Sequence, residues 1–296
     1  MDAWKAEDKV LCIISGGGAA QIEHAIGCIK AIQQIHKTKF DYMMGTSAGA
    51  IVASMLMSFD QDIGKFERTV LETPMKEWYS IDYIAAVTTL FKGKFNYVAK
   101  PTGLSKFVKR YLTDDANARV KVAVSEMGND GKFVKTHLVN ATPDFVIASM
   151  SFQNIFPPVQ IGDHYYSDGG VNDNIPLPKY LDIARYDHIY LILAPAAQLL
   201  PSVSAIPILD RLFSLADNTM NRELAQIEQL HLEEARNITV LKPKEWVSSA
   251  GLLNWSKNFE QLNVSYEFAK ELLLAEDDPN QAVLPGLNDL FTGVTR

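Results

Sequence analysis

Short apolar runs alternate with amphipathic stretches along the first 58 residues of the chain. Residues 9–14 and 40–44 are mainly apolar, and each run has the length of a buried strand. Each is followed by small residues and then by apolar residues spaced three or four positions apart, as on one face of a helix. These residues are Ile22, Ile26, Ile29 and Ile32 in the first unit, and Ile51, Val52, Met55 and Leu56 in the second. Two successive strand–helix units favour a sheet flanked by helices.

The rest of the chain continues this mixture of strand and helix patterns. Four more runs have the composition of strands, at residues 120–124, 134–139, 188–194 and 238–241. The first two flank a turn-forming stretch at residues 128–131, Gly-Asn-Asp-Gly, which predicts a hairpin. Helical periodicity covers residues 207–235 and returns at 259–274, where we expect the apolar face to pack on the core. No repeat or linker divides the chain, so we predict one α/β domain with additional helices.

Composition and charge narrow the class of protein. Apolar residues make up 47% of the 296 positions and charged residues 21%, as in ordinary globular chains. The 28 basic and 35 acidic residues give a net charge of −7, so we expect no nucleic-acid partner. The amino-terminal apolar run is too short for a signal peptide, and no run approaches the 18 apolar residues of a membrane-spanning helix. We therefore expect a cytoplasmic protein.

Metal and disulfide chemistry have little support in the sequence. Cys12 and Cys28 are the only cysteines, which is too few for a disulfide framework or a four-cysteine zinc site. Because they fall in a predicted strand and the helix after it, we expect buried free thiols. No other cluster of metal ligands stands out, so we expect neither a metal nor a cofactor.

Residues 45–49, Gly-Thr-Ser-Ala-Gly, match the pattern G-x-S-x-G between a predicted strand and a predicted helix. The small residues Gly45 and Gly49 permit a tight turn that lifts the hydroxyl of Ser47 clear of the sheet, at the start of a helix. This context predicts a nucleophile. The alternative interpretation is that Ser47 only caps the helix.

Three glycines, Gly16, Gly17 and Gly18, occupy the equivalent place one unit earlier. Glycines before a helix allow backbone N–H groups to approach an anionic ligand closely. The residues that follow fit neither the G-x-G-x-x-G pattern of dinucleotide sites nor a phosphate-binding P-loop. Beside a nucleophilic serine, the triplet is better interpreted as a set of oxyanion donors.

The serine needs a base, which could be a histidine or a carboxylate. Four histidines follow Ser47 in the chain: His137, His164, His188 and His231. None lies in a distinctive motif, and a structural role is favoured for each. Asp168 is more distinctive, because a carboxylate at a strand end followed by Gly169 and Gly170 can project into a cleft while the backbone turns away. An ordinary Asp-Gly turn is the alternative.

Together these motifs resemble the patatin-like phospholipase family, which uses a Ser–Asp dyad in place of a triad. The family's glycine-rich, G-x-S-x-G and D-G-G blocks align with the three motifs, and its A-S-x-A-x-P-x-x-F block aligns with residues 148–156. The resemblance covers residues 9–195, and we extend it to 241. It implies a three-layer α/β/α fold with a central, mostly parallel sheet. Residues 1–245 would form the catalytic domain, and residues 246–296 a helical extension packed on it.

The resemblance also implies a lipid acyl hydrolase of the phospholipase A or lysophospholipase type that needs no metal or cofactor. Asp168 would take the proton from Ser47, which attacks a fatty-acyl ester and forms an acyl-enzyme. The oxyanion would be held by backbone N–H groups of Gly16, Gly17, Gly18 and Ala48. The turns around the dyad would be supported by Gly45, Gly49, Gly169 and Gly170.

The chain departs from the family pattern in two places. Ala20 and Gln21 replace the usual basic residue and glycine of the oxyanion block, which removes a positive charge beside the loop. Ser151 and Gln153 replace the usual alanine and proline of the fourth block. Because the second pair lies outside the dyad, it bears on shape and substrate more than on chemistry.

A phospholipase must reach a bilayer, so we expect peripheral membrane association. Residues 81–95, with Tyr97 and Lys100, combine aromatic side chains with lysines and form the candidate lid or interfacial patch. Burial in the core explains the same residues equally well. The substrate would be a phospholipid or another glycerolipid. The sequence does not indicate the oligomeric state.

Three other functions remain open at this point. An acyltransferase would use the same acyl-enzyme but pass the acyl group to an alcohol or thiol. A toxin-like or signalling effector would need a protein or ligand activator to order its site. A catalytically inactive lipid-binding module would keep the fold without turnover.

Overall fold

A computed structural model describes residues 9–74, 77–81, 97, 99–170, 172–175, 185–194, 221–226, 237–243, 247 and 255–276. Its helices in these ranges are α1 (Gly18–Ile35), α2 (Ala48–Ser58), α3 (Ile63–Leu71), α4 (Thr102–Tyr111), α5 (Asp114–Arg119), α6 (Pro143–Ser149) and α7 (Glu260–Glu276), and residues 221–226 are also helical. The strands are β1 (Val10–Ile14), β2 (Tyr42–Thr46), β3 (Ser80–Ile81), β4 (Ala99–Lys100), β5 (Val120–Met127), β6 (Phe133–Asn140), β7 (Val159–Ile161), β8 (His164–Asp168), β9 (His188–Ile192) and β10 (Asn237–Leu241).

One sheet organises the described part of the chain, with the strand order β10-β9-β1-β2-β5-β8-β7. The strands from β10 to β5 are all parallel. Strands β6 and β8 pair antiparallel with β5, and β7 pairs antiparallel with β8. The predicted central, mostly parallel sheet and the predicted hairpin are therefore confirmed. Strands β3 and β4 form a separate two-stranded sheet.

Apolar side chains cover both faces of the sheet, which explains why its central strand is a continuous apolar run. All five residues of β1 are buried. Cys12 and Ile14 pack into the larger cluster with α1 and α2, whereas Leu11 and Ile13 pack into a second cluster with Leu224 from the helical residues 221–226. Helices therefore lie on both faces, as the α/β/α prediction requires.

Cys12 and Cys28 are buried free thiols, as predicted. Burial raises the pKa of both thiols, since the low-polarity surroundings disfavour the thiolate. Both cysteines belong to the core cluster between β1 and α1. They therefore act as small apolar side chains and not as nucleophiles.

The carboxyl-terminal helix α7 packs along α1. A Cβ added to Gly27 of α1 would overlap the carbonyl oxygen of Leu262, so the two helices approach at backbone distance. Two buried polar contacts fix the pairing. The Glu23 carboxylate accepts hydrogen bonds from the backbone N–H and hydroxyl of Ser256 at 2.6 and 2.5 Å, and His24 Nδ1 lies 2.8 Å from Ser265 Oγ.

The apolar face predicted at residues 259–274 thus lies in the core, with Leu262, Ala269 and Leu273 buried. The boundary near residue 245 stays a prediction. Most of residues 207–235 and of the candidate lid at 81–95 lie outside the described residues. No helix in the described ranges is both long and apolar enough to cross a membrane.

Replacing Gly27 by alanine tests the contact between α1 and α7. Alanine is the better helix former, but its methyl group would meet the backbone of Leu262 and Tyr266, which cannot move without displacing α7. We expect the free energy of unfolding in urea to fall by about 1–3 kcal/mol.

Gly64→Ala in α3 is the matched control for this substitution. An added Cβ there would meet only side-chain atoms at 3.4 and 3.6 Å, which is ordinary contact distance. This variant should be neutral or more stable by up to ~1 kcal/mol. Equal effects of the two substitutions would contradict the close packing of α1 on α7.

Candidate active site

Two strands meet end to end along one edge of β5. Strand β2 runs parallel to β5, and its last residue, Thr46, is paired with Ala123. Strand β8 runs antiparallel to β5, and its last residue, Asp168, is paired with Val124. Because Ala123 and Val124 are consecutive, the carboxyl ends of β2 and β8 point at each other. Ser47, the residue after β2, is thereby brought to Asp168.

Ser47 lies on a strained turn between β2 and α2. Its φ of 55° and ψ of −123° are rare for a residue with a side chain, and such strain is typical of functional turns. A Cβ added to Gly49 would overlap the carbonyl oxygen of Ile14, and one added to Gly45 would overlap Gly49, so the turn admits only glycine at both places. The Ser47 side chain makes no capping hydrogen bond. The interpretation of Ser47 as only a helix cap is therefore wrong.

Asp168 is completely buried, and its carboxylate faces the serine. Oδ1 accepts a hydrogen bond from the N–H of Gly170 at 2.8 Å. Burial raises the pKa of Asp168 to about 7, and the hydrogen bonds from the Ser47 hydroxyl and the Gly170 N–H offset only part of that rise.

The contact between the serine hydroxyl and the carboxylate is a loose one. The Ser47 hydroxyl lowers the pKa of Asp168, yet Oδ2 has no partner at full hydrogen-bond geometry among the described residues. Long or poorly aligned contacts of this kind are common in sites without substrate, and they tighten when substrate binds. The contact between Ser47 and Asp168 is therefore weaker than a full hydrogen bond.

The glycine loop after β1 touches the serine directly. A Cβ added to Gly16 would lie 2.8 Å from the Cβ of Ser47. The N–H of Gly16, however, donates to Oδ1 of buried Asn174 at 2.7 Å. Gly16 therefore does not offer the oxyanion donor that the sequence predicts, because a residue distant in the chain already uses that N–H group.

Two helices begin beside Ser47, and their first N–H groups remain as candidate donors. Gly18 is the first residue of α1, with φ 71°, and Ala48 is the first residue of α2. A helix has no internal acceptor for its first N–H groups, and its amino terminus carries partial positive charge. Gly17, which immediately precedes α1, supplies a third candidate N–H donor.

The end of α6 and the residues just after it fix the backbone of both Ser47 and Asp168. The hydroxyl of Ser149 accepts a hydrogen bond from the N–H of Ser47 at 3.0 Å. The carbonyl of Ser151 accepts one from the N–H of Asp168 at 3.0 Å. Both serines are fully buried. Both serines lie in the fourth sequence block, but no role was predicted for Ser149 or Asn174, since neither contact is visible in a local pattern.

The departures from the family pattern have local explanations. Ala20 is fully buried, so its position has no exposure for a charged side chain. Buried Gln21 donates from Nε2 to the carbonyl of Ile192 at 3.2 Å and ties the start of α1 to β9. The Ser151 hydroxyl donates to the carbonyl of Ile147 at 2.9 Å, within α6. Gln153 Nε2 donates to Ser167 Oγ at 3.3 Å.

The described histidines after Ser47 take structural roles, as predicted. His137 Nε2 and His164 Nδ1 lie 2.6 and 2.9 Å from the two carboxylate oxygens of Glu126. His188 Nε2 lies 3.0 Å from the Thr239 hydroxyl, between β9 and β10, and burial lowers the pKa of His188 to about 3. His231 lies outside the described residues. Among the residues described, no group of three or more His, Cys, Asp or Glu side chains could hold a metal ion.

Two curated relatives are both called lysophospholipase NTE1. The one from Debaryomyces hansenii is 27% identical over 184 residues, 58% of this chain and 11% of its own length. The one from Scheffersomyces stipitis is 25% identical over 187 residues, 59% of this chain and 11% of its own length. The chain thus spans about a tenth of the length of these relatives.

A solved structure and a family-level match complete the comparison. The crystal structure of VipD from Legionella pneumophila aligns with a TM-score of 0.49 and 13% identity, covering 91% of this chain and 67% of that one. The sequence model of the family described as patatin-like phospholipase matches residues 13–179, which include Ser47, Asp168 and the glycine loop. With a match over more than half of its length, this chain belongs to the patatin-like phospholipase family.

Proposed function

We propose that the chain is a lipid acyl hydrolase that cleaves fatty-acyl esters of phospholipids, of the phospholipase A or lysophospholipase type. The observation that carries this proposal is the meeting of Ser47 and buried Asp168 across the edge of β5. The family supports the lipid substrate class, and the lysophospholipase name of both curated relatives supports a monoacyl phospholipid as one substrate.

In the first half of the reaction, Asp168 accepts the proton of the Ser47 hydroxyl while Oγ bonds to the ester carbonyl carbon. The carbonyl oxygen becomes an oxyanion, which the N–H groups of Gly17, Gly18 and Ala48 stabilise. The tetrahedral intermediate then collapses. The bond to the leaving alcohol or lysolipid breaks, Asp168 returns the proton to the leaving oxygen, and Ser47 keeps the acyl group as an ester.

In the second half, water replaces the leaving group. Asp168 takes a proton from the water molecule while its oxygen bonds to the acyl carbon, and the same N–H groups hold the new oxyanion. Collapse breaks the bond to Ser47, which regains a proton from Asp168, and the fatty acid leaves. Every proton is accounted for by one carboxylate, so the dyad needs no imidazole.

Burial makes this carboxylate a competent base. An ordinary aspartate, with a pKa near 4, is a poor acceptor for a serine proton at neutral pH. The pKa of Asp168 is raised to about 7, which keeps a large ionised fraction at neutral pH while increasing proton affinity. The burial that raises this pKa thus makes Asp168 a stronger base.

Removing either dyad side chain should abolish turnover. We expect Ser47→Ala and Asp168→Asn each to lower fatty-acid release by about 10³-fold or more, as in other sites where nucleophile and base act as a unit. The assay would use vesicles of phosphatidylcholine and micelles of lysophosphatidylcholine, with EDTA present.

Ser105→Ala and Asp144→Asn, at positions outside the site, are the matched controls and should retain activity. Activity that survives Asp168→Asn would refute the dyad and indicate that a histidine is the base. An acyl ester of an added alcohol, formed in place of free fatty acid, would instead indicate an acyltransferase. If wild type releases no fatty acid, adding candidate activators would test the effector hypothesis.

The raised pKa of Asp168 predicts the pH dependence. The base must be ionised, so kcat/KM should rise as the pH increases from 5 to 8, with a midpoint near 7. An ordinary exposed carboxylate would give a midpoint near 4. A rate profile on a neutral, water-soluble ester avoids the titration of lipid head groups. A profile that is flat between pH 5 and 8 would contradict the role given to burial.

Ser149 is a positioning residue whose loss should slow the chemical step. Ser149→Ala removes the acceptor for the half-buried N–H of Ser47 and lets the strained turn relax. We expect kcat to fall by about tenfold with KM nearly unchanged, since one unsatisfied buried group costs ~1–3 kcal/mol.

Ser151→Ala is the control for this effect, because it removes only a hydroxyl that is bonded within α6 and keeps the carbonyl that holds Asp168. Matching thermal stability of the two variants would exclude a folding effect. A rise in KM with unchanged kcat for Ser149→Ala would refute the positioning role.

A further inference from the structure

A cleft of about 270 Å³ lies at the amino-terminal edge of the sheet. Lys9 precedes β1, Tyr42 begins β2 and Lys121 is the second residue of β5, and all three line this cleft. Ser47 follows the other end of β2. Five strand residues span roughly 17 Å. The cleft and the candidate active site therefore lie at opposite edges of the sheet.

Four cationic side chains line the cleft of a chain whose net charge is −7. They are Lys9, Arg119, Lys121 and Arg185. Arg119 is paired with Asp115. Lys121 Nζ donates to the neutral side chain of Asn140 at 2.6 Å, and Arg185 is exposed and forms no ion pair within the described residues. At least two positive charges thus face the cleft without a carboxylate partner.

Among the described residues, Asp41 and Asp187 are adjacent in sequence to cleft residues, and both carboxylates are turned to the backbone. Asp187 Oδ2 accepts the N–H of Lys9 at 2.7 Å, and Asp41 Oδ2 accepts the N–H of Val10 at 2.8 Å. Neither lines the cleft. No carboxylate is among the described residues that line the cleft, and a concave surface lined by one sign of charge concentrates anions from solution.

The floor of the cleft is apolar and partly aromatic. Leu11 and Met44 are buried in the second core cluster, and Leu138 packs against it. Tyr42 and Tyr186 stand at the side with ring centroids 5.9 Å apart in an edge-to-face arrangement. Tyr42 is 40% exposed, which is unusual for a large side chain at the start of a central strand. Apolar walls with a few converging charged groups are the usual make-up of a small-molecule site.

We propose that this cleft binds a soluble organic anion that carries a phosphate group on an aromatic or apolar body. The guanidinium of Arg185 and the ammonium of Lys121 suit a phosphate, and the tyrosines and aliphatic floor suit the body. A bilayer engaged by the Ser47 edge does not reach the opposite edge of the sheet, which favours a free ligand over a lipid head group. This binding site is independent of the proposed hydrolase activity.

Phenyl phosphate is a suitable probe because it joins a phosphate to one aromatic ring. Calorimetric titration of the wild-type protein at low ionic strength should give saturable binding, with phenol and inorganic phosphate each binding more weakly. Arg185→Gln and Lys121→Gln should each weaken phenyl phosphate binding by about tenfold, as loss of a charged hydrogen bond does.

Arg110→Gln is the matched control, since Arg110 is also an exposed arginine beside an aromatic residue in sequence but lies away from the cleft, 5.2 Å from the ring of Tyr111. Its affinity for phenyl phosphate should stay within about twofold of wild type. Unchanged thermal melting of all three variants would show that the fold is intact. Because no lipid substrate is present, the result does not depend on whether the chain hydrolyses lipids.

Four results would overturn the proposal. Phenyl phosphate could fail to bind, or bind equally well to Arg185→Gln, Lys121→Gln and wild type. Equal affinity for phenyl phosphate and inorganic phosphate would show that the aromatic body of the ligand contributes nothing to binding. A vesicle-binding experiment separates the two sources of phosphate. If Arg185→Gln loses binding to phosphatidic acid vesicles, and phenyl phosphate does not compete with the vesicles, the cleft binds a lipid head group instead.

Discussion

The shared edge of β5 is the constraint on which the site depends. Backbone pairing, and not side-chain attraction, places the last residue of β2 against Ala123 and the last residue of β8 against Val124. A slip of β8 by one residue would turn Asp168 to the other face of the sheet and separate it from Ser47. Paired strands are among the stiffest parts of a fold, so the loose contact between hydroxyl and carboxylate needs little reorganisation when substrate arrives.

Around this edge, two distant segments hold the candidate site through three hydrogen bonds. Asn174 holds the glycine loop by the N–H of Gly16, and Ser149 holds the serine turn by the N–H of Ser47. The carbonyl of Ser151 holds Asp168. Each contact satisfies a buried backbone group that would otherwise be costly. The same bonds therefore stabilise the core and fix the geometry of the candidate site.

The sequence predicted those features of the site that local chemistry determines. The turn around Ser47 and the D-G-G motif at Asp168 need small residues at fixed spacing, and such spacing is visible in a single chain. The sequence did not predict that the N–H of Gly16 is bound within the protein, because its partner, Asn174, lies 158 residues away in the chain. The pairing of β8 with β5 and the close approach of α7 at Gly27 depend likewise on register and packing, which hydrophobic periodicity does not specify.

The buried carboxylate of Asp168 makes the stability of the folded protein depend on pH. In an unfolded chain an aspartate loses its proton near pH 4, whereas burial keeps Asp168 protonated up to about pH 7. Between these values the native state binds a proton that the unfolded state has released, so this residue's contribution to folding stability declines as pH rises through that window. The ionised form that the proposed mechanism requires is thus also the form in which this residue supports the fold least.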